Sequence, residues 1–149
     1  MIDLPKDAEM FVPHRGPMLL LERLVASDGE SAIAEAAFPS LSPFVDPDSG
    51  IVEPLALLEL IAQAYAASKG HQDLSQGKET SKGFLVGISE ALFPRQAFAE
   101  DRLVVKIRTQ ESFDNFYIAA GEVFHQDHLL ARASLKIWVD RHSKQDERS

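Results

Sequence analysis

Cysteine is absent from the 149 residues, so neither a disulfide nor thiolate chemistry is available to this chain. Positive charge is scarce: fifteen Lys and Arg stand against twenty-three Asp and Glu, a net charge of −8. That balance argues against nucleic acid or an anionic membrane as the main partner and leaves room only for a local basic patch. Long hydrophobic runs are missing too, and nothing approaches the roughly 20 apolar residues needed to span a bilayer. The N-terminus, MIDLPKDAEMF, has acidic residues where a signal peptide needs a basic start and an apolar stretch. A cytoplasmic protein is the expectation.

What is present is ordinary for a globular chain: 45% hydrophobic and 26% charged residues, in a length that suits one domain with its own core. No internal repeat and no linker divides residues 1–149. Residues 5–12 allow one or two helical turns, ended by Pro13. Residues 18–26 (MLLLERLVA) and 31–38 (SAIAEAAF) are built from helix formers, yet they are short and flank the turn signal Asp28-Gly29. A hairpin is therefore expected there. Residues 39–50 (PSLSPFVDPDSG) read as a loop.

The clearest element is EPLALLELIAQAYAASK, residues 53–69. Pro54 suits a first helical position and Gly70 a helix end. Leu58, Ile61, Ala62 and Tyr65 form one apolar face, and Leu57, Leu60, Ala64 and Ala67 make the opposite side scarcely more polar, so a buried helix is predicted. A polar loop follows over residues 71–80. Strands rich in Val, Ile and Phe are then expected over 84–93, 103–113, 116–124 and 130–139, with Asp114-Asn115 and residues 126–128 as turns. Residues 142–149 read as a charged tail. The predicted order is hairpin, long helix, then an antiparallel meander of about four strands, whose edges a second copy can cover.

Two polar side chains interrupt the helix. Glu59 and Gln63 are four residues apart and share a face. A carboxylate in apolar surroundings must be paired, hydrogen-bonded or neutralised. Such a setting also prepares a general acid or base. Glu59 facing a buried substrate cavity, oriented by Gln63, is one reading; a purely structural carboxylate is the other.

These residues also carry a resemblance. PHRGPMLLLERLV (13–25) resembles the PHR-x-P-hydrophobic-(D/E)-R-hydrophobic opening of the FabZ-type 3-hydroxyacyl-carrier-protein dehydratases. LLELIAQA (57–64) is similar to their central helix, in which the glutamate is catalytic and a glutamine follows four residues on. GFLVGISEALFPRQAFAEDRL (83–103) is similar to their third strand and the loop after it. FVDPDSG (44–50), ahead of the Glu-x-x-x-Gln helix, is more similar still to the ApeP-like dehydratases of aryl polyene gene clusters. The resemblance implies an α+β hotdog fold, with an antiparallel sheet wrapped around one long helix. It implies a homodimer, or a heterodimer with a related subunit, with sites at the interface. It further implies an acyl carrier protein bearing a phosphopantetheine-linked 3-hydroxyacyl chain as partner, and needs no cofactor or metal. Glu59 would be the acid/base residue and Gln63 its orienting partner on the substrate side. Backbone N–H groups from Gly83 to Gly87 would face the thioester carbonyl.

The pattern breaks at one place. FabZ-type enzymes carry a histidine, in an HFPG motif, fourteen residues before the glutamate; that position here is Val45, which transfers no proton. Asp46 is the nearest substitute acid, although Asp46-Pro47-Asp48 also reads as a turn and cap. His14 in the PHR segment is the other candidate, with a structural or gating role favoured over proton transfer. Arg95, with Arg15 and Lys82, would receive the carrier's phosphate or acidic residues. His125 and His128 flank a turn, His71 lies in the polar loop and His142 in the tail, so no metal set is expected. Gly-x-Ser-x-Gly, phosphate-loop and EF-hand patterns do not fit. Two alternatives stay open: a hotdog thioesterase, which tolerates the missing histidine better, and a non-catalytic acyl-binding partner subunit.

Overall fold

The computed structural model describes residues 1–140, so the expected tail at 142–149 lies outside the described residues. Its longest element is helix α1, Pro54–Ser75, with Pro54 in the first turn. The expected stop at Gly70 does not occur. The backbone of Phe11 crosses the helix there, and a Cβ built on Gly70 would lie 2.3 Å from the Phe11 carbonyl oxygen. Gly70 therefore serves close packing. The helix ends instead near Gly77, which turns left-handed with φ +73° and donates its N–H to the Leu74 carbonyl at 3.0 Å. The polar loop predicted for 71–80 shrinks accordingly. His71, expected in that loop, is a buried helical residue whose Nε2 lies 2.8 Å from the Ile2 carbonyl oxygen.

Seven strands form one antiparallel sheet: β1 Lys6–Asp7, β2 Leu21–Ser27, β3 Ser31–Ala36, β4 Lys82–Leu92, β5 Leu103–Phe113, β6 Phe116–His125 and β7 His128–Asp140. Their order across the sheet is β1-β2-β3-β5-β6-β7-β4. The helical turns expected over 5–12 are replaced by the short β1 and a single 3₁₀ turn at Ala8–Met10. This places Ala8, Phe11 and Val12 in the core.

The β2–β3 hairpin forms despite its helix-forming composition. Asp28 Oδ1 accepts from the N–H groups of Glu30 (2.9 Å) and Ser31 (2.7 Å), closing the turn. These bonds hold the Asp28 carboxyl below the usual carboxylate range. The register then sends Ala32, Ala34 and Ala36 to the core, a burial that outweighs local propensity.

The sheet's concave face wraps α1, which packs on β2, β3, β5, β6 and β7. Small residues set the distance. A Cβ on Gly121 of β6 would lie 2.2 Å from Ile61 Cγ2, so only glycine lets the helix sit this close. This is the expected hotdog arrangement of one helix in an antiparallel wrap. The expected four-strand meander needs one correction. β5, β6 and β7 do run consecutively, but β4 leaves them and pairs with β7 at the sheet's far edge. None of its eleven residues is buried. Phe84, Leu85, Val86, Ile88 and Leu92 are each at least 42% exposed. Among the described residues, no helix is long and apolar enough to cross a membrane.

Candidate active site

Most of α1 is enclosed by the sheet, but one stripe is not. Leu55 is exposed, and Glu59, Ala62, Ala66 and Lys69 are half-buried, at the three- and four-residue steps that align along one face. Glu59 is thus the acidic member of a strip that continues through two alanines to a lysine. Gln63 points the other way, into the core, and is 1% exposed.

Burying that amide requires every polar group on it to find a partner. Its Oε1 accepts from the N–H groups of Leu20 (3.0 Å) and Leu21 (3.2 Å). Its Nε2 donates to the Met18 carbonyl (2.8 Å) and to Glu59 Oε2 (3.0 Å). Gln63 therefore ties the start of β2 to the helix and fixes the carboxylate of Glu59. Both amide atoms are hydrogen-bonded within the chain.

The Glu59 carboxylate is not sealed from water in the single chain, contrary to the expectation of a buried cavity: the Glu59 side chain is 37% exposed. One turn further along the same stripe a mainly apolar recess of about 70 Å³ lies between α1 and the sheet, lined by Ala62, Ala66, Gly83, Leu85 and Ile137, with Lys69 and Ser81 at its polar side; Glu59 itself does not line it. A site that encloses an organic ligand usually measures roughly 300–1,000 Å³. The recess of the single chain falls well short of that. β4, which carries Gly83 and Leu85, is the last strand of the sheet and has no strand on its other side among the described residues.

The other predicted site residues separate clearly. Val45, at the position of the family histidine, is 7% exposed and forms a bridge with Val52, so it belongs to the core. Asp46 is exposed and closes its own loop, accepting from Ser49 Oγ at 2.7 Å and from the Asp48 N–H at 3.2 Å. These bonds, that to Ser49 foremost, hold its carboxyl below the usual range. A carboxyl kept ionised by a turn is a poor proton donor, so the turn reading accounts for Asp46.

His14 lies where the sequence did not place it. Its Nε2 is 3.6 Å from Glu59 Oε2. The bracing of its segment also escaped sequence reasoning, because Arg15 was read as a phosphate or acid contact without its backbone role. Arg15 Nη1 donates to the Val12 and His14 carbonyls, both at 2.7 Å, and its Nε faces Glu9 at 3.2 Å.

Gly83 and Gly87 both sit on β4, Gly83 lining the recess. Arg95 is exposed in the loop after β4, while Lys82 starts that strand. Eleven extended residues separate Lys82 from the loop of Arg95, on the order of 30 Å. Lys82 and Arg95 therefore form no single patch on one chain. His125 Nδ1 lies 3.7 Å from Asp101 Oδ2.

Comparison with known proteins places the chain among dehydratases. A family model described as ApeP dehydratase matches residues 6–147. The 3-hydroxyacyl-acyl-carrier-protein dehydratase FabZ of Neisseria meningitidis is 32% identical over 108 residues, covering 68% of this chain and 70% of that protein. FabZ of Caldanaerobacter subterraneus is 26% identical over 134 residues, 87% of this chain and 93% of its own. Among solved structures, a chain of the dehydratase heterocomplex ApeI:P from Xenorhabdus doucetiae superposes with a TM-score of 0.83. It is 20% identical and covers 99% of this chain and 98% of its own.

Proposed function

The chain belongs to the ApeP dehydratase family, and from that premise we propose that it removes water from 3-hydroxyacyl thioesters carried on an acyl carrier protein, in fatty-acid- or aryl-polyene-type synthesis. The observation that supports it most is the Glu59 carboxylate. Gln63 fixes it on the uncovered stripe of α1, one turn before Ala62, which lines the recess. Dehydration removes a proton from the carbon next to the thioester carbonyl and protonates the departing β-hydroxyl. Glu59 serves one of these transfers as general acid or base.

The site is completed by a second hotdog chain, identical or related, against β4. A long, apolar, unpaired edge strand is a template for another strand. Two antiparallel β4 strands would wall the recess and bring the Lys82 end of one beside the Arg95 end of the other. Those two residues would then receive the carrier's phosphopantetheine phosphate together. A backbone N–H between Gly83 and Gly87 that the facing strand leaves unpaired would meet the thioester carbonyl.

Incubation of the purified protein, alone and with a co-expressed related hotdog chain, with 3-hydroxyacyl and saturated acyl thioesters tests this. An enoyl thioester from the hydroxyacyl substrate is the expected product. Free thiol from the saturated substrate would make the protein a thioesterase. Neither product would leave an acyl-binding subunit.

A further inference from the structure

We infer that His14 supplies the second proton-transfer group of the dehydration, so that the pair His14–Glu59 replaces the missing loop histidine from a different part of the chain. The inference rests on the dehydratase reading above. Elimination needs two proton transfers, and the loop positions the sequence offers for the second group do not supply it: Val45 is core and Asp46 is locked in its own turn. His14 Nε2, by contrast, stands 3.6 Å from Glu59 Oε2. The two side chains are similarly open, 31% for His14 and 37% for Glu59, so one substrate can meet both.

The placement of His14 is built. On one side of it, the Phe11 backbone is pressed onto Gly70 of the helix, at a spot where no Cβ fits. On the other, Gln63 grips Met18, Leu20 and Leu21. Between these anchors Arg15 clasps the carbonyls of Val12 and His14. Gln63 therefore positions both members of the pair, one through its side chain and one through its segment. Holding two reacting groups in fixed register is what gives such a pair its rate advantage. The His14 Nδ1 is buried with no hydrogen-bond partner among the described residues. Nε2 is therefore the ring nitrogen that faces the reacting atoms.

The chemistry closes without any other reactant. One member of the pair takes the proton from the α carbon, and the C–H electron pair becomes the new carbon–carbon double bond. The β carbon–oxygen bond breaks with its electrons on oxygen. The other member protonates that oxygen, which leaves as water. The pair has then exchanged one proton, and return across the His14–Glu59 contact resets it.

The test compares wild type with His14→Gln and His14→Ala in the enoyl-forming assay, using the assembly in which wild type is active. His14→Gln is expected to lower kcat by about 100-fold or more, with KM within about threefold, and to remove one limb of the pH–rate profile. Added imidazole is expected to restore part of the turnover of His14→Ala, which a merely structural role would not allow. Circular dichroism melting of both variants guards against loss of fold. Wild type that forms no enoyl product overturns the dehydratase reading and this one with it. Active wild type with His14→Gln within threefold of it, or folded His14→Ala that imidazole leaves unchanged, overturns the role of His14 alone.

Discussion

At the scale of single residues, the placement of the Glu59 carboxylate depends on the buried amide of Gln63. Gln63 accepts two backbone N–H groups and donates to a carbonyl and a carboxylate, all in a position 1% exposed. Replacing it with Leu preserves bulk but strands the N–H groups of Leu20 and Leu21. We expect a loss of about 1–3 kcal/mol in urea unfolding, together with reduced turnover. Glu59→Gln should behave differently: stability near wild type, and kcat lower by about 10²–10⁴-fold. Steady-state kinetics and thermal melts on the same samples separate the two cases.

The pairing of Glu59 with Gln63 was legible in the sequence, because two polar residues at a four-residue step stand out in an apolar helix. What could not be read was their division of labour. Both were expected on the substrate side, whereas the sheet covers one and leaves the other open. His14 was legible as a motif member but its neighbour was not, since the contact with Glu59 spans distant stretches of chain that only the folded path brings together.

Among the elements, the hairpins and the helix followed from turn chemistry and apolar patterning. The helix end did not, because Gly70 and Gly77 look alike in a sequence and differ only in what crosses them. The place of β4 was illegible for a related reason: a period-two pattern announces a strand without naming its neighbour. Helix and sheet meet most tightly at Gly121. Gly121→Ala forces a Cβ to within 2.2 Å of Ile61 Cγ2 unless something moves. About 1–3 kcal/mol of destabilisation is expected from denaturant curves, and combining it with Ile61→Ala, which removes the clashing Cγ2, should cost less than the sum of the two single changes.

The β2–β3 turn gives a pH-dependent prediction. The Asp28 carboxyl titrates lower in the folded chain than in an unfolded one, since it accepts the Ser31 and Glu30 N–H groups. Its contribution is therefore present above the ordinary carboxylate range and fades as pH falls through the depressed value. Asp28→Ala should melt below wild type at pH 7, with the gap closing in strongly acidic buffer. A gap that stays constant with pH would remove the charge from the explanation.

For the molecule as a whole, the two sheet edges differ sharply. One ends in the two-residue β1; the other is the eleven-residue, apolar β4. Val86→Lys with Ile88→Lys adds two charges to that edge, which a facing strand must bury. Light scattering after size exclusion should show the assembly dissociating, while circular dichroism keeps the spectrum of a folded chain. Retention of the wild-type mass would mean that β4 is not the contact.

An open β4 also has a kinetic meaning. If the wall of each reaction chamber is on loan from a neighbour, turnover per molecule is no constant. It should sag on dilution, well before any unfolding, and recover when stock is added back. In a cell, output would then rise more steeply than abundance, and scarce copies would stand folded but idle.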